Sequence, residues 1–294
     1  MNKSSLILIL SLLIVLLIMG SSGCVVQKET NMPIVLLTDF GVEDYRVPQL
    51  KGIIYTTNPS ARVVDASHSV PAFDIATGAY ILDIAAKEFP ENVVFVAIIA
   101  PYTQPEVKYF VLSTDKNQLF VLPDNGLLTY IVKNTGAKTI YHITNQKLFD
   151  NPMKELAAER IQGKVGALIA SGYPPQDVGL PLTTFTTLDV QEPAIIERKL
   201  LGTVVYIDHF GNGITNISRK TASEYGIKPG DLISIKSTQS KITARFGTNY
   251  SDVPKGEAIV FVSNNLGLVQ LSINLDNFAK KYGIKAGTRI ELEK

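Results

Sequence analysis

The sequence has one cysteine, no tryptophan and three histidines in 294 residues. A single thiol cannot close an intrachain disulfide or supply a cysteine-rich metal cluster. The histidines, His68, His142 and His209, are too far apart for an H-x-x-x-H pair, so the common zinc signature is missing and no metal site is expected. Neither sign of charge is in excess: 28 basic and 27 acidic residues leave a formal net charge of +1. There is no basic block and no interleaving of basic and aromatic residues, so nucleic acid is not an expected partner. What remains is a globular composition, 46% apolar and 19% charged. The length exceeds a typical single core, and two domains are expected.

The only long apolar run is at the start. Lys3 precedes an apolar run from Leu6 to Met19, and Gly20-Ser21-Ser22-Gly23-Cys24 follows. A basic start, a short apolar core and small residues before a cleavage point form a secretory signal. The ending resembles a lipobox, in which Cys24 becomes the lipidated first residue. An uncleaved membrane anchor is the alternative, although the run is slightly short for a full span. Residues 1–24 are thus expected to be a signal or lipobox segment and 25–32 a polar tether. The folded part is expected to be extracytoplasmic and membrane-anchored through its N-terminus.

The mature chain opens on Pro33-Ile34-Val35-Leu36-Leu37-Thr38-Asp39-Phe40-Gly41. A short aliphatic run ending at a turn signal reads as a buried strand. Asp39 then stands beyond the strand's C-terminal end, where open α/β sheets bind ligands. It could accept two hydroxyls of a vicinal diol, or it could cap the following turn. Further along, helices are expected over 49–57, 75–87, 127–133 and 154–171, and strands over 62–65, 93–100, 109–113, 119–122 and 139–143. This alternation makes residues 33–190 an α/β domain with a mostly parallel sheet. Asp39, Asp65 and the loops 67–73 and 100–105 then fall on one sheet edge. From Leu201 onward, short strands without long helices make residues 194–294 an all-β barrel or sandwich.

Five separated segments, in order, resemble the SAM hydroxide adenosyltransferase family and its halogenating relatives, the SAM-dependent chlorinases and fluorinases. They are Leu37-Thr38-Asp39-Phe40-Gly41 with Asp44 and Lys51-Gly52; Asn58-Pro59 with Val63-Val64-Asp65-Ala66-Ser67-His68 and Asp74; Pro123-Asp124-Asn125-Gly126-Leu127-Leu128; Ser171-Gly172-Tyr173-Pro174 with Val178-Gly179 and Pro181-Leu182; and Ile207-Asp208-His209-Phe210-Gly211-Asn212 with Thr215-Asn216. The resemblance implies an α/β N-terminal domain and a smaller barrel-like all-β C-terminal domain. It implies a homotrimer with SAM, the substrate, between one subunit's N-terminal domain and its neighbour's C-terminal domain, and no cofactor. Methionine is displaced from C5′ of SAM by water or hydroxide, or by halide in specialised members. By the same resemblance Asp39 holds the ribose diol and Phe73 is an aromatic wall. Asp208, Phe210 and Asn212 face the ligand from the other domain, and Asn265 lies near a late loop that closes the pocket.

The hydrolytic members carry an Asp-Arg-His set that positions water. Here the corresponding loop reads Ile99-Ala100-Pro101-Tyr102-Thr103-Gln104-Pro105-Glu106-Val107. Ala100 stands where the aspartate belongs and Val107 near the arginine, and no histidine falls between Phe149 and Ala158. Pro101 and Thr103 fit the halogenase form of the loop, but Ala100 lacks its phenol and Asn265-Leu266 replaces its Ser-Arg. Substitutes on this loop are Tyr102, Thr103 or Glu106, with the Thr103 hydroxyl as the candidate catalytic group. The expected function is SAM hydrolase-like adenosyl transfer to water. The alternatives are a non-catalytic SAM- or adenosine-binding surface lipoprotein and a SAM-dependent halogenase.

Overall fold

A computed structural model describes residues 31–102 and 106–294. The signal, lipobox and Cys24 assignments, and the Thr103 hydroxyl, therefore lie outside the described residues. No helix among the described residues is long and apolar enough to cross a membrane.

The opening run forms β1 (Ile34–Thr38), with every residue buried. Such a strand must be covered on both faces, which a parallel sheet flanked by helices provides. β1 pairs in parallel with β2 (Val63–Ser67) on one side and β3 (Val94–Ile98) on the other. With β4 (Tyr109–Ser113), β5 (Leu119–Pro123), β6 (Thr139–Ile143) and β7 (Gly179–Pro181), the sheet order is β2-β1-β3-β5-β4-β6-β7. β5 is parallel to β3, and the expected hairpin 109–122 is the antiparallel β4–β5 pair. Side chains alternate between two cores. Ile34, Leu36, Val94, Val96 and Ile98 pack with α1 (Arg46–Thr57) and α4 (Ala158–Ala170). Val35, Leu37, Phe95 and Ala97 pack with α2 (Ile75–Glu88) and α3 (Thr129–Thr135).

Local chemistry sets the helix ends. Asp74 caps α2 by accepting from Thr77 N, and Lys116 Nζ and Gln118 Nε2 complete the other end by donating to the carbonyls of Ala86 and Phe89. α1 begins three residues before the expected start, because Asp44 accepts from Arg46 N and turns the chain early. α4 begins later than expected, because Met153–Glu155 forms a separate 3-10 turn. Its glycines mark close approach. A Cβ at Gly163 would lie 2.8 Å from Leu50 Cδ1, and one at Gly166 would overlap Val96 Cγ2. α4 thus lies close over β3. Met32 N, just before β1, donates to Ala170 O at the end of α4. The first turn of α4 therefore stands at the opposite sheet edge, where β1 and β3 end.

The second sheet is a closed barrel. Its strands are β9 (Lys199–Ile207), β10 (Gly213–Ser218), β11 (Leu232–Lys236), β12 (Lys241–Phe246), β13 (Ala258–Val262), β14 (Leu268–Ile273) and β15 (Arg289–Glu293), with β8 (Ala194–Ile196) paired to β9 outside the ring. The nine-residue β9 closes it, pairing with β15 along its first part and with β10 along its last. All pairs within the ring are antiparallel except β12–β13. Two short helices, α5 (Arg219–Tyr225) and α6 (Phe278–Tyr282), interrupt the strands. Alternate residues such as Val204, Ile233, Ile235, Val269, Leu271 and Leu292 fill the interior. The barrel joins the first sheet's helices at Tyr206, whose ring lies 5.8 Å from that of Tyr80 on α2.

The α4–β3 contact is open to test. Gly166→Val forces a branched side chain into Val96 and is expected to cost about 1–3 kcal/mol. The measurement is urea unfolding, with a lower midpoint at unchanged m-value.

Candidate functional site

The ends of β1, β2 and β3 share one sheet edge because the three strands are parallel. Asp39 follows β1 directly. Its Oδ2 accepts two backbone N–H groups, from Phe73 at 2.9 Å and from Ala100 at 3.2 Å. Both donors hold a positive φ without being glycine, 67° at Phe73 and 42° at Ala100. Such backbone costs about 1–3 kcal/mol per residue unless its surroundings hold it there. Here it aims two amides from two loops at one carboxylate oxygen. Oδ1 accepts from no described residue, so its lone pairs are free of protein donors there.

The edge is fixed from behind. Thr38 Oγ1 and His68 Nδ1, both buried, share a hydrogen bond of 2.9 Å, and Gly41 N donates to His68 O at 2.7 Å. His68 Nε2 stands 3.1 Å from Asp65 Oδ1. Lys51 Nζ donates to Asp65 Oδ2 at 2.6 Å. Burial pushes the Asp65 carboxyl up, but Lys51 and His68 outweigh it and hold the carboxyl below its usual range. Asp65 thus stands between Lys51 and His68, with one oxygen facing each. Buried Asn125 donates to Ile99 O at 2.8 Å and Ala100 O at 3.2 Å. The Pro123-Asp124-Asn125-Gly126 segment is thus more than a turn, since it pins the loop that carries the Ala100 amide.

Two aromatic side chains stand out from this edge, Phe73 at 80% exposure and Tyr102 at 63%. Tyr102 Oη accepts from Ala158 N, the first amide of α4, at 2.9 Å.

The barrel carries a second cluster. Asp208 Oδ1 accepts from Phe210 N and Asn212 N, both at 2.9 Å, and its Oδ2 accepts from Asn212 Nδ2 at 2.7 Å. The carboxylate organises its own turn, which passes through Gly211 at φ 84° beside the Asn277 side chain. Asn212 Nδ2 and Gln270 Nε2 both donate to Tyr250 Oη, at 3.2 and 2.7 Å. A cavity of about 540 Å³ lies here, lined by Phe210, Asn212, Tyr250, Asn274, Leu275 and Asn277 among others. Phe210 and Leu275 are 74% and 78% exposed at its rim.

Asp39, Phe73 and the Ala100 loop therefore come together, as do Asp208, Phe210 and Asn212. The cavity beside the second group is lined by none of Asp39, Phe73 and Ala100. Asn265 joins neither group. It lies in the turn between β13 and β14, at the far end of β14 from Ile273 and Leu275. Sequence reading missed Asn125, Tyr250, Asn274, Leu275 and Asn277. Only Asn125 sat in a conspicuous motif. Among the described residues no group of three His, Cys, Asp or Glu could hold a metal ion.

Two family models match the chain. They are described as SAM hydroxide adenosyltransferase N-terminal domain, over residues 34–179, and C-terminal domain, over residues 202–291. An (R)-S-adenosyl-L-methionine hydrolase of Methanocaldococcus jannaschii is 31% identical over 270 residues, covering 88% of this chain and 95% of the relative. A fluorinase of Nocardia brasiliensis is 25% identical over 290 residues, covering 88% and 96%. The crystal structure of an uncharacterized conserved protein from Thermotoga maritima superposes with a TM-score of 0.82 at 29% identity, covering 89% and 100%.

The brace behind Ala100 yields a prediction. Asn125→Ala leaves the Ile99 and Ala100 carbonyls without their donor and is expected to cost about 1–3 kcal/mol. Hydrogen exchange should quicken at the Ala100 amide more than in the central strands.

Proposed function

The chain belongs to the SAM hydroxide adenosyltransferase family, and we propose that it binds SAM and transfers the adenosyl group to water, releasing adenosine and methionine. The observation that carries this reading is Asp39: a carboxylate at the ligand edge of the sheet, fixed through Oδ2 by two amides, with Oδ1 open to a ribose diol. Exposed Phe73 offers an apolar wall beside it. Asp208 organises the turn that presents Phe210 and Asn212 to the opposite side of the ligand.

The chemistry asks little of the side chains. The sulfonium already activates C5′, so no protein nucleophile and no cofactor is needed. A water oxygen forms the bond to C5′, the C5′–S bond breaks with its pair going to sulfur, and a proton leaves the water. The protein must align the reactants and keep bulk water out. The curated relatives named as SAM hydrolases support this outcome.

We assign a homotrimer. The Asp39 edge and the barrel cavity are each half a site within one chain, and each exposes aromatic or aliphatic surface that a partner would cover. Repeating the contact of one chain's edge with the next chain's barrel closes a ring. Sedimentation should give a trimeric mass, and Phe210→Glu should dissociate it. The signal-like start and Cys24 support an extracytoplasmic, membrane-anchored lipoprotein. Replacement of the loop carboxylate by Ala100 favours a second reading, in which the same pocket binds SAM or adenosine without turnover.

Full-length protein incubated with SAM, with and without chloride or fluoride, distinguishes these. Adenosine and methionine are expected. A 5′-halo product would make the protein a halogenase, and binding without turnover would leave the binding protein. Asp39→Ala should weaken SAM binding at least about tenfold, since charge-assisted hydrogen bonds contribute about 1.5–3 kcal/mol. Unchanged affinity by calorimetry overturns the ribose assignment.

A further inference from the structure

Hydrolysis at C5′ needs a group to hold the attacking water and take its proton. The titratable groups around the Asp39 edge are mostly committed. Asp39 has one oxygen on two amides and the other facing the ligand in the reading above. Asp65 is held by Lys51 and faces His68; Asp44 pairs with Arg46; Asp74 caps α2; Asp124 accepts from Thr186 N. Glu43 and Glu106 are exposed to solvent. His68 Nδ1 is hydrogen-bonded to the Thr38 hydroxyl. His142 sits on β6, three strands and roughly 14 Å from β3.

Glu159 is different. It is the second residue of α4, only 8% exposed, and makes no hydrogen bond or ion pair with any described residue. The residue is largely covered, yet its unpaired carboxylate is not sealed from water. Its place in the fold sets what that carboxylate can reach. The first turn of α4 stands at the ligand edge, where the positive end of the helix suits an anion. The path from the ribose carboxylate is short: Asp39 Oδ2 holds the Ala100 amide, Tyr102 follows two residues later, and its phenol oxygen accepts the Ala158 amide next to Glu159. Buried Tyr109 lies in the same corner. Burial raises its phenol, and the charges of Tyr102 and Glu159 raise it further.

We propose that Glu159 accepts the proton of the attacking water and that Tyr102 orients that water, together replacing the loop carboxylate that Ala100 lacks. The inference rests on the hydrolase reading above. Tyr102 Oη accepts the Ala158 N–H and so has its hydroxyl proton to donate to the water oxygen. As the oxygen bonds to C5′ and the C5′–S pair returns to sulfur, the water proton passes to the Glu159 carboxylate and later to solvent. Methionine leaves as a neutral thioether and adenosine gains the hydroxyl.

The test uses full-length chain in detergent: wild type, Glu159→Gln, Glu159→Asp and Tyr102→Phe. Adenosine release is followed across pH, SAM affinity by calorimetry and folding by thermal melt. Glu159→Gln should lower kcat about a hundredfold or more and lose the acid limb of the rate profile, while SAM affinity stays within about threefold. Its melting temperature should not fall, because the native carboxylate makes no bond to lose. Glu159→Asp should recover part of the rate, and Tyr102→Phe should lose about tenfold. A Glu159→Gln protein with wild-type kcat and pH profile overturns the assignment while leaving the hydrolase reading intact. A wild type that binds SAM but releases no adenosine overturns both.

Discussion

One carboxylate oxygen holds together the sheet edge where β1 and β3 end. Asp39 Oδ2 gathers amides from the loop before α2 and the loop after β3, and both donors sit in a backbone region that side chains avoid. Each strained residue costs about 1–3 kcal/mol, and each charge-assisted bond returns about 1.5–3 kcal/mol. The terms are of the same size, so the loop conformations depend on the carboxylate being there. The two oxygens differ: one is committed to the fold, and the other accepts from no described residue. A residue that only capped a turn would need neither loop.

That division explains why Asp39 was legible in the sequence and its surroundings were not. The run from Ile34 to Thr38 announces a buried strand through composition alone, and a carboxylate just beyond it falls on the ligand edge of any parallel sheet. The amide from Ala100 arrives from 61 residues away, and the Asn125 brace reaches the same loop from 25 residues on. Neither leaves a local pattern. Helix ends show the same limit. The start of α1 is moved by the Asp44 side chain, and the start of α4 by a 3-10 turn that helical periodicity does not forbid. Apolar alternation reports burial, whereas a site is made of contacts between segments that alternation never compares.

The barrel shows the complementary case. Its short strands were visible, and the choice between barrel and sandwich is settled by β9, long enough to pair with β15 and then β10. Asp208 looked like a ligand carboxylate, yet both of its oxygens serve the Phe210–Asn212 turn. Its contribution is to present neighbours, with Asn212 tied onward to Tyr250 and Gln270. The apolar rim at Phe210 and Leu275 is exposed to a degree that an isolated barrel has no use for.

Two departures from the hydrolase pattern, at Ala100 and Val107, fall on the β3 loop, and the third, the missing histidine, falls between Phe149 and Ala158 just before α4, whereas the groups that brace Asp39 are present. Displacement at an activated sulfonium constrains where a proton acceptor stands more than which element carries it. A carboxylate within reach of the attacking oxygen is sufficient whether a loop or a helix supplies it. The helix α4 is held by Met32 at its C-terminal end and by glycine-mediated contact with α1 and β3 along its length. It is a more rigid mount than a loop, and rigidity is what aligning a single water requires. In the proposed reading, the missing carboxylate at Ala100 and the Glu159 carboxylate, which pairs with no described residue, are two parts of one rearrangement. Tyr102, bonded to the Ala158 amide, is the link between them.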